Sequence, residues 1–159
     1  MKTILLALLI VSIIFISGCT NEQQLTPTGN NVGDKAPDFT LTATDGRTLK
    51  LSELTVQKKP VVLYFMATWC PFCKEEYGEI SKAYQQYAYK VDLVSVSIDL
   101  NENTAVLEKY PMDNNRPGIF APGNEGILKS YNVLYTTTKY AIDKNGVIVY
   151  KRVGEIRYS

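Results

Sequence analysis

Histidine is absent from this 159-residue sequence, and cysteine occurs only three times. The first absence removes the commonest general base near neutral pH and the commonest metal-ligating side chain. An excess of charge is lacking as well. With 17 basic against 16 acidic residues and no basic stripe along the chain, no nucleic-acid partner is expected. Internal repeats and low-complexity tracts are missing too. The length suffices for one domain and is short for two.

What is present begins with a targeting signal. Lys2 is followed by an apolar run from Ile4 to Ile16, broken only by Ser12, and the run closes on Ser17-Gly18 before Cys19. This is short for a membrane span and right for a signal peptide. The string "ISGC" (Ile16–Cys19) resembles a prokaryotic lipobox, which implies cleavage after residue 18 and a diacylglyceryl thioether on Cys19. The expected location is the extracytoplasmic face of a prokaryotic cell membrane, where disulfides are permitted. The alternatives are a secreted protein with a stray cysteine and an uncleaved anchor. Thr20 to Gly33, polar with Pro and Gly, reads as a flexible tether (residues 19–33 with the lipidated cysteine), leaving 34–159 as the folded domain. With Cys19 lipidated, Cys70 and Cys73 can pair only with each other or with a partner protein.

The domain reads as alternating elements. "DFTLTATDGRTLKL" predicts a hairpin around Asp45-Gly46 with a type I′ turn. Val61–Met66 is a continuous apolar run, as in a strand buried on both faces. Pro71 to about Tyr89 turns helical, with Ile80, Ala83, Tyr84 and Tyr87 on one stripe and Gly78 as a possible kink. Val91–Ile98 predicts a strand, Thr104–Tyr110 a helix capped by Asn103, and "APGNEGILKSYNV" a further helical turn or two. Tyr140–Asp143 and Val147–Val153 predict a second hairpin. The pattern gives an α/β fold of three layers around a mixed sheet.

The chemistry sits in "ATWCPFCKEE" (Ala67–Glu76). Cysteines three apart in one helical turn share a face and lie close enough to bridge. Cys70 falls at the helix N-terminus, where unpaired N–H groups and the helix dipole favour a thiolate. It reads as an exposed nucleophile, with Cys73 one turn deeper to resolve the mixed disulfide. A zinc site needs four ligands, and no histidine or second cysteine pair supplies them. A disulfide closing so short a loop is a poor structural staple. Redox chemistry is the better reading, with no cofactor and no metal expected.

Together "APDFTL" (36–41), "DGRTLKLSEL" (45–54), "VVLYFMATWCPFCKEE" (61–76) and "YAIDKNGVIV" (140–149) resemble the thioredoxin-fold TlpA/ResA-type thiol-disulfide oxidoreductases of the AhpC/TSA redoxin group. The resemblance spans about Gly33 to Gly154. It implies a thioredoxin-like domain with an extra N-terminal β-hairpin, acting on dithiols or disulfides of extracytoplasmic proteins and on a membrane electron donor or acceptor. Cytochrome c maturation and disulfide formation are the typical pathways. It makes Cys70 the nucleophile, Cys73 the resolving residue of a redox disulfide, and Glu76 the base that takes the Cys73 proton. A solvated helix residue beside Lys74 and Glu75 is the plainer alternative for Glu76. Trp69, Pro71 and Phe72 would shape the substrate surface together with Thr136 and Thr137.

The sequence also departs from that family. Thr137 stands where a cis-proline is expected in "VLYTTTKY" (133–140), and a cis bond before a non-proline residue costs about 3 to 4 kcal/mol, so a trans Thr136–Thr137 peptide is expected. Tyr64 replaces a polar Asn or Asp beneath the site, which would leave Glu76 as the sole proton acceptor. The family's last helix has no counterpart after Gly154, so bare apolar sheet is expected. A peroxidase would need Pro-x-x-x-Thr-x-x-Cys, and neither cysteine fits. A metal or iron–sulfur binding module and a degenerate, truncated paralogue are the competing readings.

Overall fold

The computed structural model describes residues 26–114 and 116–154. Cys19 and the apolar leader therefore lie outside the described residues, and among the described ones no helix is long and apolar enough to cross a membrane. In chain order the elements are β1 (Thr40–Thr42), β2 (Thr48–Lys50), α1 (Leu51–Val56), β3 (Val61–Met66), α2 (Pro71–Tyr87), β4 (Asp92–Ser97), α3 (Thr104–Asn114), β5 (Ile119–Pro122), α4 (Glu125–Ser130), β6 (Thr138–Ile142) and β7 (Ile148–Arg152). β1 and β2 form a separate antiparallel ribbon, and the other strands make one sheet in the order β5-β4-β3-β6-β7. β3 pairs in parallel with β4 and antiparallel with β6, so the sheet is mixed and β3 is its centre.

The apolar run of β3 is explained by its burial on both faces. Val61, Leu63 and Phe65 point into a core shared with the ribbon, α1 and α4, whereas Val62, Tyr64 and Met66 point into one shared with α2 and α3. Two β-residues in succession must face opposite ways, so a strand with a layer on each side carries apolar residues at every position. The result is the expected three-layer arrangement with an N-terminal hairpin. Among the described residues no helix follows β7, and Tyr150 (47% exposed) and Arg152 are exposed on the sheet.

Several local expectations change. The first hairpin does not use a type I′ turn: Gly46 alone takes a positive φ (81°), with its N–H donating to the Ala43 carbonyl. Asp45 stays at negative φ because its carboxylate is engaged by the Arg47 N–H and guanidinium. Leu51, read as the last residue of the hairpin, instead opens the helix Leu51–Val56, and Ile119–Pro122 is a short parallel strand that the sequence reading missed. α2 runs unbroken through Gly78, and α3 continues past Pro111. The segment read as tether is anchored from Pro27 onward. Gly29 and Lys35 exchange backbone bonds with Lys35 and Pro27, Gly33 N–H donates to Ile148, and the Lys151 ammonium reaches Asn30 Oδ1 at 2.9 Å. The domain therefore begins about seven residues before residue 34, because strand β7 offers its free edge to that segment.

Candidate active site

The turn between β3 and α2 carries the cysteines. Cys70 is the N-cap residue of α2, and its Sγ accepts the Cys73 N–H at 3.2 Å; Pro71 fills the first helical position, where the missing N–H costs nothing. A sulfur is thus placed where the unpaired N–H groups of the first helical turn converge. Both cysteines carry free thiols here.

Cys70 differs from expectation in its exposure. It is 1% exposed, because its side chain turns inward and its S–H donates to Thr136 Oγ1 at 3.3 Å. The Cys70 sulfur lies beneath the 136–137 loop, covered by the half-exposed Thr136 hydroxyl. Cys73 is fully buried, and desolvation pushes its thiol up to about 12, with the Cys70 sulfur adding to the shift.

The loop opposite the cysteines is strained. Thr137 holds φ of +60°, a left-handed conformation that a β-branched residue adopts at a cost, and no described peptide is cis, the Thr136–Thr137 bond included. Gly154 supports the loop from behind: its N–H donates to Thr138 Oγ1 at 3.2 Å, and a Cβ there would lie 1.8 Å from the Thr136 carbonyl oxygen. Only glycine permits that approach.

Above the thiols lies an open groove of about 300 Å³ lined by Trp69, Phe72, Thr136 and Thr137 with Leu134 and Tyr135. Trp69 is 63% exposed and is oriented by its Nε1–H, which donates to Asp99 Oδ2 at 2.8 Å. Four of the residues expected to meet substrate therefore converge. Pro71 is exposed but lies outside that lining, occupied with starting the helix.

Below the thiols the arrangement is polar. Tyr64 does face the site, and its hydroxyl donates to Glu76 Oε2 at 3.0 Å. The other carboxylate oxygen of Glu76 is held by the Lys139 ammonium, and the two side chains are 16% and 15% exposed. Glu76 is thus a paired, largely buried carboxylate and not a solvated helix residue. Tyr64 was expected to replace a polar group and leave Glu76 as the sole proton acceptor; its phenol nonetheless reaches that carboxylate from β3. Burial drives the Tyr64 hydroxyl well above the usual phenol range, so it stays protonated.

A second carboxylate escaped the sequence reading. Glu102, 6% exposed, accepts the Thr68 N–H at 2.9 Å, the Thr68 hydroxyl, and the Ser97 hydroxyl at 2.5 Å. It ties the turn before Trp69 to the end of β4. Only its place ahead of a capped helix in "DLNENT" marked it. Lys139 escaped the sequence reading as well: the predicted strand began at Tyr140, whereas β6 starts at Thr138 and carries Lys139 to Glu76. Among the described residues no group of three or more His, Cys, Asp or Glu side chains is arranged to hold a metal.

A dithiol capping a helix over a mixed sheet, with a groove above and a carboxylate behind, defines a thioredoxin-fold redox protein. Residues 32–151 match the model of the AhpC/TSA family, to which the chain belongs. Thioredoxin-like protein YneN of Bacillus subtilis (strain 168) is 33% identical over 131 residues, covering 79% of this chain and 74% of that protein. Thiol-disulfide oxidoreductase ResA of Bacillus thuringiensis subsp. konkukian is 29% identical over 126 residues, covering 78% and 70%. A crystal structure assigned provisionally as thiol:disulfide interchange protein DsbE of Chlorobium tepidum superposes with a TM-score of 0.67 at 30% identity, over 78% of this chain and 86% of that one. The protein is accordingly a thioredoxin-like thiol-disulfide oxidoreductase.

Proposed function

We propose that the protein is a membrane-tethered oxidoreductase outside the cytoplasm, exchanging its Cys70–Cys73 dithiol or disulfide with protein substrates. Disulfide formation and cytochrome c maturation are the settings that the resemblance of its sequence implies. The carrying observation is the Cys70 sulfur at the head of α2, receiving the Cys73 N–H directly beneath the Trp69–Phe72–Thr136–Thr137 groove. In the reducing direction Cys70 thiolate attacks a substrate disulfide, forming one mixed S–S bond and releasing one substrate thiolate. Cys73 thiolate then attacks the Cys70 sulfur, releases the second substrate thiolate and leaves the Cys70–Cys73 disulfide. Two electrons pass to the substrate, and a membrane donor restores the dithiol; oxidation of a substrate runs the same steps backwards.

The "ISGC" sequence ending at Cys19 supports the tether. Fatty-acid labelling of the full chain, lost in Cys19→Ala together with membrane fractionation, tests it. Titration of the Cys70–Cys73 couple against glutathione or dithiothreitol tests the redox role: a potential near or below about −270 mV assigns a reductase, one nearer −120 mV an oxidase. Thiols that refuse to exchange at any poise would sink the proposal. Trp69→Phe, which loses the bond to Asp99, is expected to raise KM for a protein substrate severalfold with little change in kcat.

A further inference from the structure

The face of α2 turned toward the sheet gathers three ionisable side chains that no redox step has yet used. Glu76 has each carboxylate oxygen assigned to a different donor, Oε2 to the Tyr64 hydroxyl and Oε1 to the Lys139 ammonium. Tyr64 and Cys73 share one buried cluster, and the Tyr64 hydroxyl interacts with the Cys73 thiol as well as with the carboxylate. Lys139 lies 5.6 Å above the Tyr64 ring. Around this pocket Tyr77 on α2 meets the Tyr64 ring edge-on at 5.3 Å, the Arg116 guanidinium lies 5.7 Å from the Tyr77 ring and 4.0 Å from that of Tyr110 on α3, and exposed Arg152 is the register partner of Lys139 on β7. Glu79, one turn along α2, is engaged by Lys82 and points to solvent.

Resting on the dithiol reading above, we infer that Tyr64 and Lys139 are positioning residues for the resolving step: the Cys73 proton reaches Glu76 through the Tyr64 hydroxyl, and the Lys139 ammonium balances the single negative charge at both ends of that path. The bookkeeping closes. Tyr64 O–H gives its proton to Glu76 Oε2 as it receives the Cys73 proton, so the phenol is unchanged, the carboxylate becomes carboxylic acid and the thiol becomes thiolate. No electron moves until that thiolate attacks the Cys70 sulfur. Before transfer the buried charges are Glu76⁻ and Lys139⁺; afterwards they are Cys73⁻ and Lys139⁺. Without the ammonium the pocket would hold a lone anion in either state, which a desolvated site resists.

The path is needed because of depth. A fully buried thiol has no water to take its proton, and Cys73 is 0% exposed. The phenol suits the intermediate position, since burial keeps it from ionising on its own and makes it a conduit rather than a sink.

The test is stopped-flow reaction of the reduced full chain with one equivalent of 5,5′-dithiobis(2-nitrobenzoate) between pH 5 and 9. The first chromophore released reports attack by Cys70, and the second reports resolution by Cys73. Tyr64→Phe is expected to slow the second phase about tenfold or more while the first stays within about twofold. Lys139→Met is expected to slow the second phase about fivefold or more while the first stays within about twofold, since the buried anion then has no opposite charge beside it; Lys139→Arg restores it. Should Lys139→Met fail to fold, Lys139→Gln removes the charge at similar length. A second phase unslowed in Tyr64→Phe, or unslowed without the Lys139 charge, overturns the inference. Loss of both phases in the unmodified chain overturns the dithiol reading instead.

Discussion

The two faces of the central sheet carry similar aromatic clusters and use their hydroxyls differently. On the ribbon side Tyr131 and Tyr140 pack edge-on at 5.1 Å, and their phenols end on backbone carbonyls, those of Pro37 (2.7 Å) and Tyr131 (2.5 Å). On the α2 side Tyr64 and Tyr77 pack edge-on at 5.3 Å, but their phenols end on the Glu76 carboxylate and the Ser95 hydroxyl. A carbonyl can only accept, so the first pair anchors backbone and does nothing else. A carboxylate can take a proton and a hydroxyl can pass one. The lesson is that burial and ring packing do not separate structural from chemical tyrosines; the atom at the end of the hydroxyl does.

That contrast can be broken in several places. The largest effect is expected from Glu76→Gln, which removes the proton acceptor and should slow mixed-disulfide resolution about 100-fold in single-turnover exchange. Next comes Glu102→Ala, on the same side but without a route to sulfur. Stranding the donors of Thr68 and Ser97 should cost about 2 to 3 kcal/mol in urea unfolding, without moving the pH profile of exchange. Tyr131→Phe on the ribbon side leaves the Pro37 carbonyl unpaired, which should cost about 1 kcal/mol and change exchange by less than about twofold. The smallest effect at neutral pH belongs to Cys73 and grows on the alkaline side. Its folded thiol stays protonated until about pH 12, whereas an unfolded thiol ionises near about 8.5. The unfolded state therefore releases its proton first, and stability of the reduced protein should fall through that window. Reduced Cys73→Ala should show a shallower fall when unfolding is compared at pH 8 and pH 10.5.

Much of the fold was legible because the signals were local. A doubly apolar β3, a periodic α2 and an Asn103 cap, whose Oδ1 accepts the Val106 N–H at 3.1 Å, are properties of short stretches. The dithiol was legible for the same reason, since i, i+3 spacing at a helix start needs no distant residue. The pieces that escaped are those whose meaning depends on a partner far along the chain. β5 is only Ile119–Pro122, a strand because the edge of β4 receives it. The 27–33 segment looks like linker until Ile148 and Lys151 bind it. Tyr64 looked like the loss of a polar group because only the fold sets its hydroxyl beside a carboxylate twelve residues later.

By itself the sequence determined which sulfur heads the helix, since any helix opening on Cys70-Pro71 presents its unpaired N–H groups to that sulfur. It determined the alternation of layers too, because a strand apolar at every position must be covered twice. Tertiary structure alone decided that Cys70 is sheltered by Thr136, and that Glu76, Tyr64 and Lys139 meet behind Cys73. These are contacts between α2, β3, β6 and the loop before β6, up to 66 residues apart in the chain. Sequence spacing fixes geometry only within one element; between elements, sheet order and register do.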